Sequence, residues 1–431
     1  MKKHRMIRSI LLLLVISFVL FFATVVFFFP GPIVFVINNK DFEITSYRSI
    51  PKSVHENNGS WWGYNQSKLA IIDDTIFSFD YDNANFENGN PSLSNPYQCV
   101  FHKTEQGVTE IFGFADTERP CNVVADATHN LVYYFAVEPV GINIGNNGNT
   151  GIAKTMMYVY QFHPNTKEIS LQRSVEVDPP SSIGKIRQSV TVDHFGNIAI
   201  AYGEYSGMMT VLTYHSLEDR WEKHQTLSNP DQDSLMYCYI ELVDLNHFYT
   251  LCVQDTSRDN TTYYQYVKLF EFKNDVWADF MIVDYRNLPE AQEESQLVEH
   301  TELKRIDDEV HIITRSNPLK EIKHFVYKNG VIEEMPNKLK GRHDWIRLAE
   351  INDKLYYFSM RNTLIATLDI TEVSTGKRVF QTIGMAMGSY FYLGDEMEGG
   401  EIPMLFYPGW GDMLYKQSDA MQILIRSKST S

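Results

Sequence analysis

The chain has 431 residues, 44 % apolar and 21 % charged, with a net charge of −16. That composition belongs to a folded protein, not a disordered one. Setting aside Lys2, Lys3, Arg5 and Arg8 leaves the remainder at −20, a surface that repels phosphate backbones and anionic lipid headgroups, so nucleic-acid binding is not expected.

Residues 1–9 form a short basic N-terminus, expected in the cytoplasm. Residues 10–29 follow without a single charge. About 20 apolar residues cross a hydrocarbon core of about 30 Å as a helix. The cations before the run, against the mixed signs of Lys40, Asp41 and Glu43 after it, place the N-terminus inside and the C-terminus outside. The expectation is a single-pass anchor in the cell membrane with an extracytoplasmic body. A cleaved signal peptide is the alternative. It has a shorter apolar core and a small-residue cleavage site, whereas here bulky residues 25–29 follow the only small pair, Ala23-Thr24. Pro30-Gly31-Pro32 ends the helix. Residues 30–66 read as a juxtamembrane stalk, within which Glu43 to Tyr47 forms an extended segment able to close a ring by pairing with the last repeat.

From residue 67 to 431 a short unit recurs. An apolar strand ends in Asp or Asn, a tight turn follows, and a second apolar strand leaves it. The turns fall at Asp73-Asp74, Asp126, Asp193, Asp244, Asp307-Asp308, Asn352-Asp353 and, more loosely, Asp395. Asp and Asn close such turns with their own side chains and tolerate left-handed backbone. In the first six units a second hairpin follows, turning at 103–107, 164–167, 217–220, 273–275, 328–330 and 374–377. Units begin near residues 68, 122, 188, 236, 300, 346 and 388. Four strands per unit, repeated at this spacing, predict an all-β chain: a β-propeller of seven four-stranded blades behind one N-terminal transmembrane helix. Two β-sandwiches are the alternative. The best short helical stretch lies at 288–300.

The cysteines are Cys99, Cys121, Cys238 and Cys252, which allow three pairings. A hairpin turning near Leu245-Asn246 sets Cys238 against Cys252 across neighbouring strands, within disulfide reach. That leaves Cys99 with Cys121. Buried thiols are the alternative.

The hairpin from Tyr158 to Ile169, reading YVYQFHPNTKEI, resembles the generic blade hairpin of kelch-like and quinoprotein-like propellers. The resemblance spans residues 66 to 428 and concerns architecture only. The tryptophan-aspartate pairing of WD repeats, the double glycine of kelch blades and the aspartate box of sialidases are all missing. Propellers host many unrelated functions, so the architecture implies no reaction.

Function-bearing loops of a propeller join the second strand to the third and one blade to the next. Those loops hold Arg187, Arg315 and Arg361, with Glu204, Tyr205, Asp255 and Trp410. Guanidinium forks grip carboxylates, so these residues are the candidate ligand site, suited to an acidic sugar. The histidines show no metal pair, and neither a nucleophile elbow nor a phosphate loop occurs. No metal or cofactor is therefore expected. Sequons at Asn58, Asn65 and Asn260 fit an exported surface. The expected function is a binding or scaffold module that contacts a protein or glycan through one propeller face. A carbohydrate-active enzyme, a sialidase-like hydrolase or lyase, is the alternative.

Overall fold

A computed structural model of the chain describes residue 17 and residues 35–50, 65–82, 97–117, 121–144, 150–177, 188–203, 207–226, 233–258, 261–316, 318–336, 338–339, 343–361, 366–385, 390–397, 399–407 and 420–428. They form seven antiparallel blades around one axis. Blades one to five span 69–117, 122–176, 189–225, 235–284 and 300–335, each four-stranded with its strands side by side in chain order. Blade four also carries a small hairpin, Thr256–Arg258 with Thr261–Tyr263. A single helical turn, Glu290–Glu293, links blades four and five, within the stretch expected to be helical.

The ring closes through the N-terminal side. Strand Phe42–Ile50 pairs antiparallel with Ala420–Ser427 and becomes the outermost strand of blade seven. Strand Phe35–Asn39 pairs with Arg378–Met385 and gives blade six a fifth strand. The stretch 30–66 is thus not simply a stalk. Its residues 35–50 are blade: Phe42–Ile50 supplies the fourth strand that blade seven otherwise lacks, and Phe35–Asn39 adds a fifth to blade six. The expected membrane segment, residues 10–29, lies outside the described residues apart from Ser17, and among the described residues no helix is long and apolar enough to cross a membrane.

The turn chemistry follows the side chains. Asp193 Oδ1 accepts from the amides of Phe195 and Asn197 at 2.8 and 2.9 Å. Asp126 and Asp244 cap their own turns in the same way. Positive φ falls on Asp73, Asn130, Asp307 and Asn352 in the first hairpins, and on Gln106, Lys167, Asp219, Asn274 and Asn329 in the second. These are residue types or turn ends where left-handed backbone is least costly.

Aromatic and histidine rings join blade to blade around most of the ring. Phe101 stacks on Tyr134 at 4.2 Å between blades one and two. His224 meets Phe272 at 4.6 Å between three and four, and Tyr249 meets Tyr327 at 5.8 Å between four and five. His324 Nδ1 lies 2.7 Å from the Tyr357 hydroxyl between five and six, and Trp345 packs on Tyr390 at 4.1 Å between six and seven. Tyr407 of blade seven donates to the Phe79 carbonyl of blade one. At the remaining interface Arg173 lies 3.6 Å above the Tyr214 ring. An aromatic ring contributes to each of these joints.

Both disulfides have the expected partners. Cys99–Cys121 ties the third strand of blade one to the start of blade two, and Cys238–Cys252 crosses the first hairpin of blade four.

Phe42 is fully buried and meets Tyr356 edge-on at 5.2 Å, so the closing strand also packs against blade six. Phe42→Ala is expected to cost about 3–5 kcal/mol. Val36→Ser, at an exposed position of the neighbouring strand, is expected to change stability by less than about 0.5 kcal/mol. Chemical denaturation of the two variants checks both values.

Candidate functional site

Each first strand runs from one face of the ring, the entry face, to the opposite, exit face. Links between blades and the turns from second to third strands therefore lie on the entry face. The first-to-second and third-to-fourth turns lie on the exit face.

Every described member of the expected ligand site is on the entry face. Arg315 stands near the end of Glu309–Ser316 in blade five, with Nη1 3.1 Å from Glu299 Oε2 and 3.5 Å from Asp344 Oδ1. Arg361 ends Lys354–Arg361 in blade six, and its Nη2 donates to Asp369 Oδ2. Asp369 also accepts from Gln381 Nε2 at 2.7 Å. The two guanidinium groups thus bind different carboxylates and do not share a site. Asp255, fully buried after the second strand of blade four, is held through its backbone by Ser234. Arg187, Glu204, Tyr205 and Trp410 lie outside the described residues. Among the described residues no three His, Cys, Asp or Glu side chains gather closely enough to hold a metal ion.

A cluster of buried charges lies on the propeller axis, where the seven first strands surround a cavity of about 640 Å³. Residues at alternate positions of a strand share a face. Tyr239 and Glu241, then Glu302 and Lys304, follow that spacing on the channel wall, together with Arg347 and Tyr392. Arg347 of blade six donates to Glu302 of blade five and, at 3.4 Å, to the Tyr239 hydroxyl of blade four. Its guanidinium also lies 5.2 Å over the Tyr392 ring of blade seven. Burial pushes the Glu302 carboxyl up while Arg347 pulls it back. One step towards the exit face, burial lifts the Glu241 carboxyl from the ordinary 4.5 to about 7, with Asp395 adding to the effect and Lys304 opposing it.

At the entry end the segment 65–68 crosses the channel. Asn65 Nδ2 donates to the Cys238 carbonyl of blade four at 2.8 Å, and Ser67 O accepts from Val123 of blade two. Asn65 is therefore a buried crosslink, and its sequon is not an available glycosylation site. The amide nitrogen that would carry the sugar is the donor. Asn58 and Asn260 lie outside the described residues. Beneath this strap Lys68 is 1 % exposed. Its Nζ donates to Gln66 Oε1 at 2.8 Å and lies 4.9 Å from the Phe79 ring centroid. At the exit end the cavity meets exposed Asp307, Glu350, Asp395 and Glu396.

None of these axial residues belongs to the site expected from sequence. A signal was present: charges inside first strands, as Glu302 and Lys304 two places apart in His300–Ile306, and Arg347 among the apolar residues of Trp345–Ile351.

No protein-family model matches the chain, and no curated protein matches it either. Among solved structures, the polysaccharide lyase Uly1 aligns with a TM-score of 0.50 and 9 % identity, over 92 % of this chain and 99 % of that one. The likeness shows the fold. This is a seven-bladed β-propeller. The Trypanosoma rangeli sialidase in complex with sialic acid aligns at 0.42 and 10 % identity, over 82 % of this chain and 59 % of that one. Saccharomyces cerevisiae Sqt1 aligns at 0.45 and 7 % identity, over 91 % and 100 %.

Two outcomes are expected for the axial charges. Glu302→Gln leaves the buried Arg347 charge unpaired and is expected to cost about 3–5 kcal/mol by chemical denaturation. Between pH 4.5 and about 7 the folded chain keeps the Glu241 proton that the unfolded chain loses. This group therefore makes stability fall as pH rises through that window and level off above it. Glu241→Gln should flatten that slope in urea midpoints measured across it.

Proposed function

We propose that the chain is a membrane-anchored, extracytoplasmic binding module that engages a protein partner through the exit face of the propeller. The observation that carries this reading is on blade three. Phe195, in its first turn, and Leu217, in its second, are 59 % and 98 % exposed. They belong to adjoining turns, since Ser216 Oγ donates to the Phe195 carbonyl at 2.9 Å. Beside them a hollow of about 400 Å³ runs to blade four, lined by Asp244, Asn246, His247 and Lys273. Large exposed apolar side chains next to a concave, polar-rimmed surface are what a protein anchor uses.

The chain direction supports the same face. Phe35 pairs with Ile383 and Asn39 with Phe380, so the strand Phe35–Asn39 enters from the entry side. Residues 30–34 reach at most roughly 17 Å. An anchor at 10–29 then turns the entry face towards the bilayer and the exit face outward. The acidic body keeps the module from adhering to anionic lipid.

A carbohydrate-active enzyme is the second reading, and the fold shared with a polysaccharide lyase favours testing it. It is the weaker reading because Arg315 and Arg361 are each bonded to carboxylates of their own or the next blade.

Surface crosslinking of the full chain in its own membrane is expected to trap one protein species. The pair Phe195→Ser with Leu217→Ser should lose that species, and Arg315→Gln should keep it. The reverse pattern moves the site to the entry face. Cleavage of an acidic polysaccharide by the purified full chain, abolished by Arg315→Gln, establishes the enzyme instead.

A further inference from the structure

The capped end of the axial channel combines features that the exit-face reading does not use. Lys68 is buried, and its only hydrogen bond among the described residues is to a neutral amide, Gln66 Oε1. Among the described residues no carboxylate pairs with it, and the nearby charge is the guanidinium of Arg347, already taken up by Glu302. Burial and that like charge push the ammonium well below its ordinary 10.5. Two further polar groups on the same cavity wall are buried without a hydrogen-bond partner among the described residues: Gln66 Nε2, a donor, and Ser189 Oγ. Burial and the like charge disfavour the ammonium unless an anion joins it, and a buried donor with no acceptor is unfavourable alone. One acceptor carrying a single negative charge resolves both.

We propose that the channel binds one small monovalent anion, a halide or a short carboxylate, against Lys68 Nζ and Gln66 Nε2 beneath the strap 65–68. The size and charge of the ligand follow from the walls. One ammonium and neutral donors balance a single charge, which suits a monoanion better than phosphate. The exit mouth is edged by Asp307, Glu350, Asp395 and Glu396, a ring that repels a polyanionic chain much more strongly than one ion. The channel is long enough in volume for the ion to reach the strap, with Lys304 and Arg305 on its wall. Bound there, the anion joins the strap to the axial charges of blades five to seven, so its effect is on the stability of the ring.

The test uses the full chain in detergent, with ionic strength held constant by sodium sulfate. Melting temperature is expected to rise saturably with sodium chloride or sodium acetate. Lys68→Met, which keeps the length and removes the charge, should weaken that response at least about tenfold, and Lys68→Arg should retain it. An identical response in wild type and Lys68→Met overturns the proposal. Should Lys68→Met fail to fold, crystals of the wild type soaked in sodium bromide decide the matter. An anomalous peak within hydrogen-bonding distance of Lys68 Nζ is expected, and its absence overturns the site. Acetate and chloride acting alike point to a free ion. A response to D-glucuronate with none to either chloride or acetate overturns the small-ion site. The exit-face reading stands or falls separately on the Phe195 and Leu217 variants.

Discussion

The ring exists because residues 42–50 lie beside residues 420–427. Eight residue pairs in that ladder, from Phe42 with Ser427 to Ile50 with Ala420, join the two ends of the described chain. Arg426 and Glu43 pair across it at 2.8 Å, and the amide of Lys428 donates to Asp41. Without this strand blade seven has three strands where the first five have four, and an open ring leaves two blade faces uncovered. Each blade is too thin to form a core of its own, so stability comes from stacking against neighbours on both sides. Closure turns a row of stacked sheets into a structure with no terminal blade.

Closure has an inner counterpart. Gly394, after the first strand of blade seven, lies where a β-carbon would collide with Leu69 and Ile71 of blade one. With only a hydrogen there, the last blade approaches the first without displacing those side chains. The outer strand fixes how far round the ring must go, and this glycine allows it to get there. The aromatic and histidine joints between blades then carry the packing, with tyrosine hydroxyls finding acceptors on the adjacent blade, as Tyr134 does at Ser78 and His102.

Closure also creates the axis. Seven first strands that converge must place some side chains in a narrow, poorly solvated channel. Apolar groups do not fill this one. Arg347 and Glu302 compensate each other across two blades, Tyr239 and Tyr392 flank them, and the strap 65–68 seals one end. In that setting little water screens a charge, so its partners decide its energy. The same residue types do different work there and on the entry face. Arg315 and Arg361 pair with carboxylates of their own or the next blade, whereas Arg347 links four blades.

What the sequence by itself determined is everything carried by near neighbours. Alternating apolar strands, Asp and Asn at the turns, and the return of the same hairpin at seven places specified the blades, their starts and the two disulfides. The segment around Glu43 was legible as the closing strand because it is extended and stands just before the first repeat. The fifth strand of blade six was not, since five residues of mixed character carry no pairing signal without the edge they meet. The site was read less well. Arginines at blade ends drew attention for their type, and only the tertiary structure showed that Glu299, Asp344 and Asp369 neutralise them. Lys68 and Asn65 gave no warning in the chain, because their surroundings come from residues up to hundreds of positions away, brought to one axis by ring closure. Strand order is a local property of this sequence. The environment of a charge is not, and it was decided by which blade faces which.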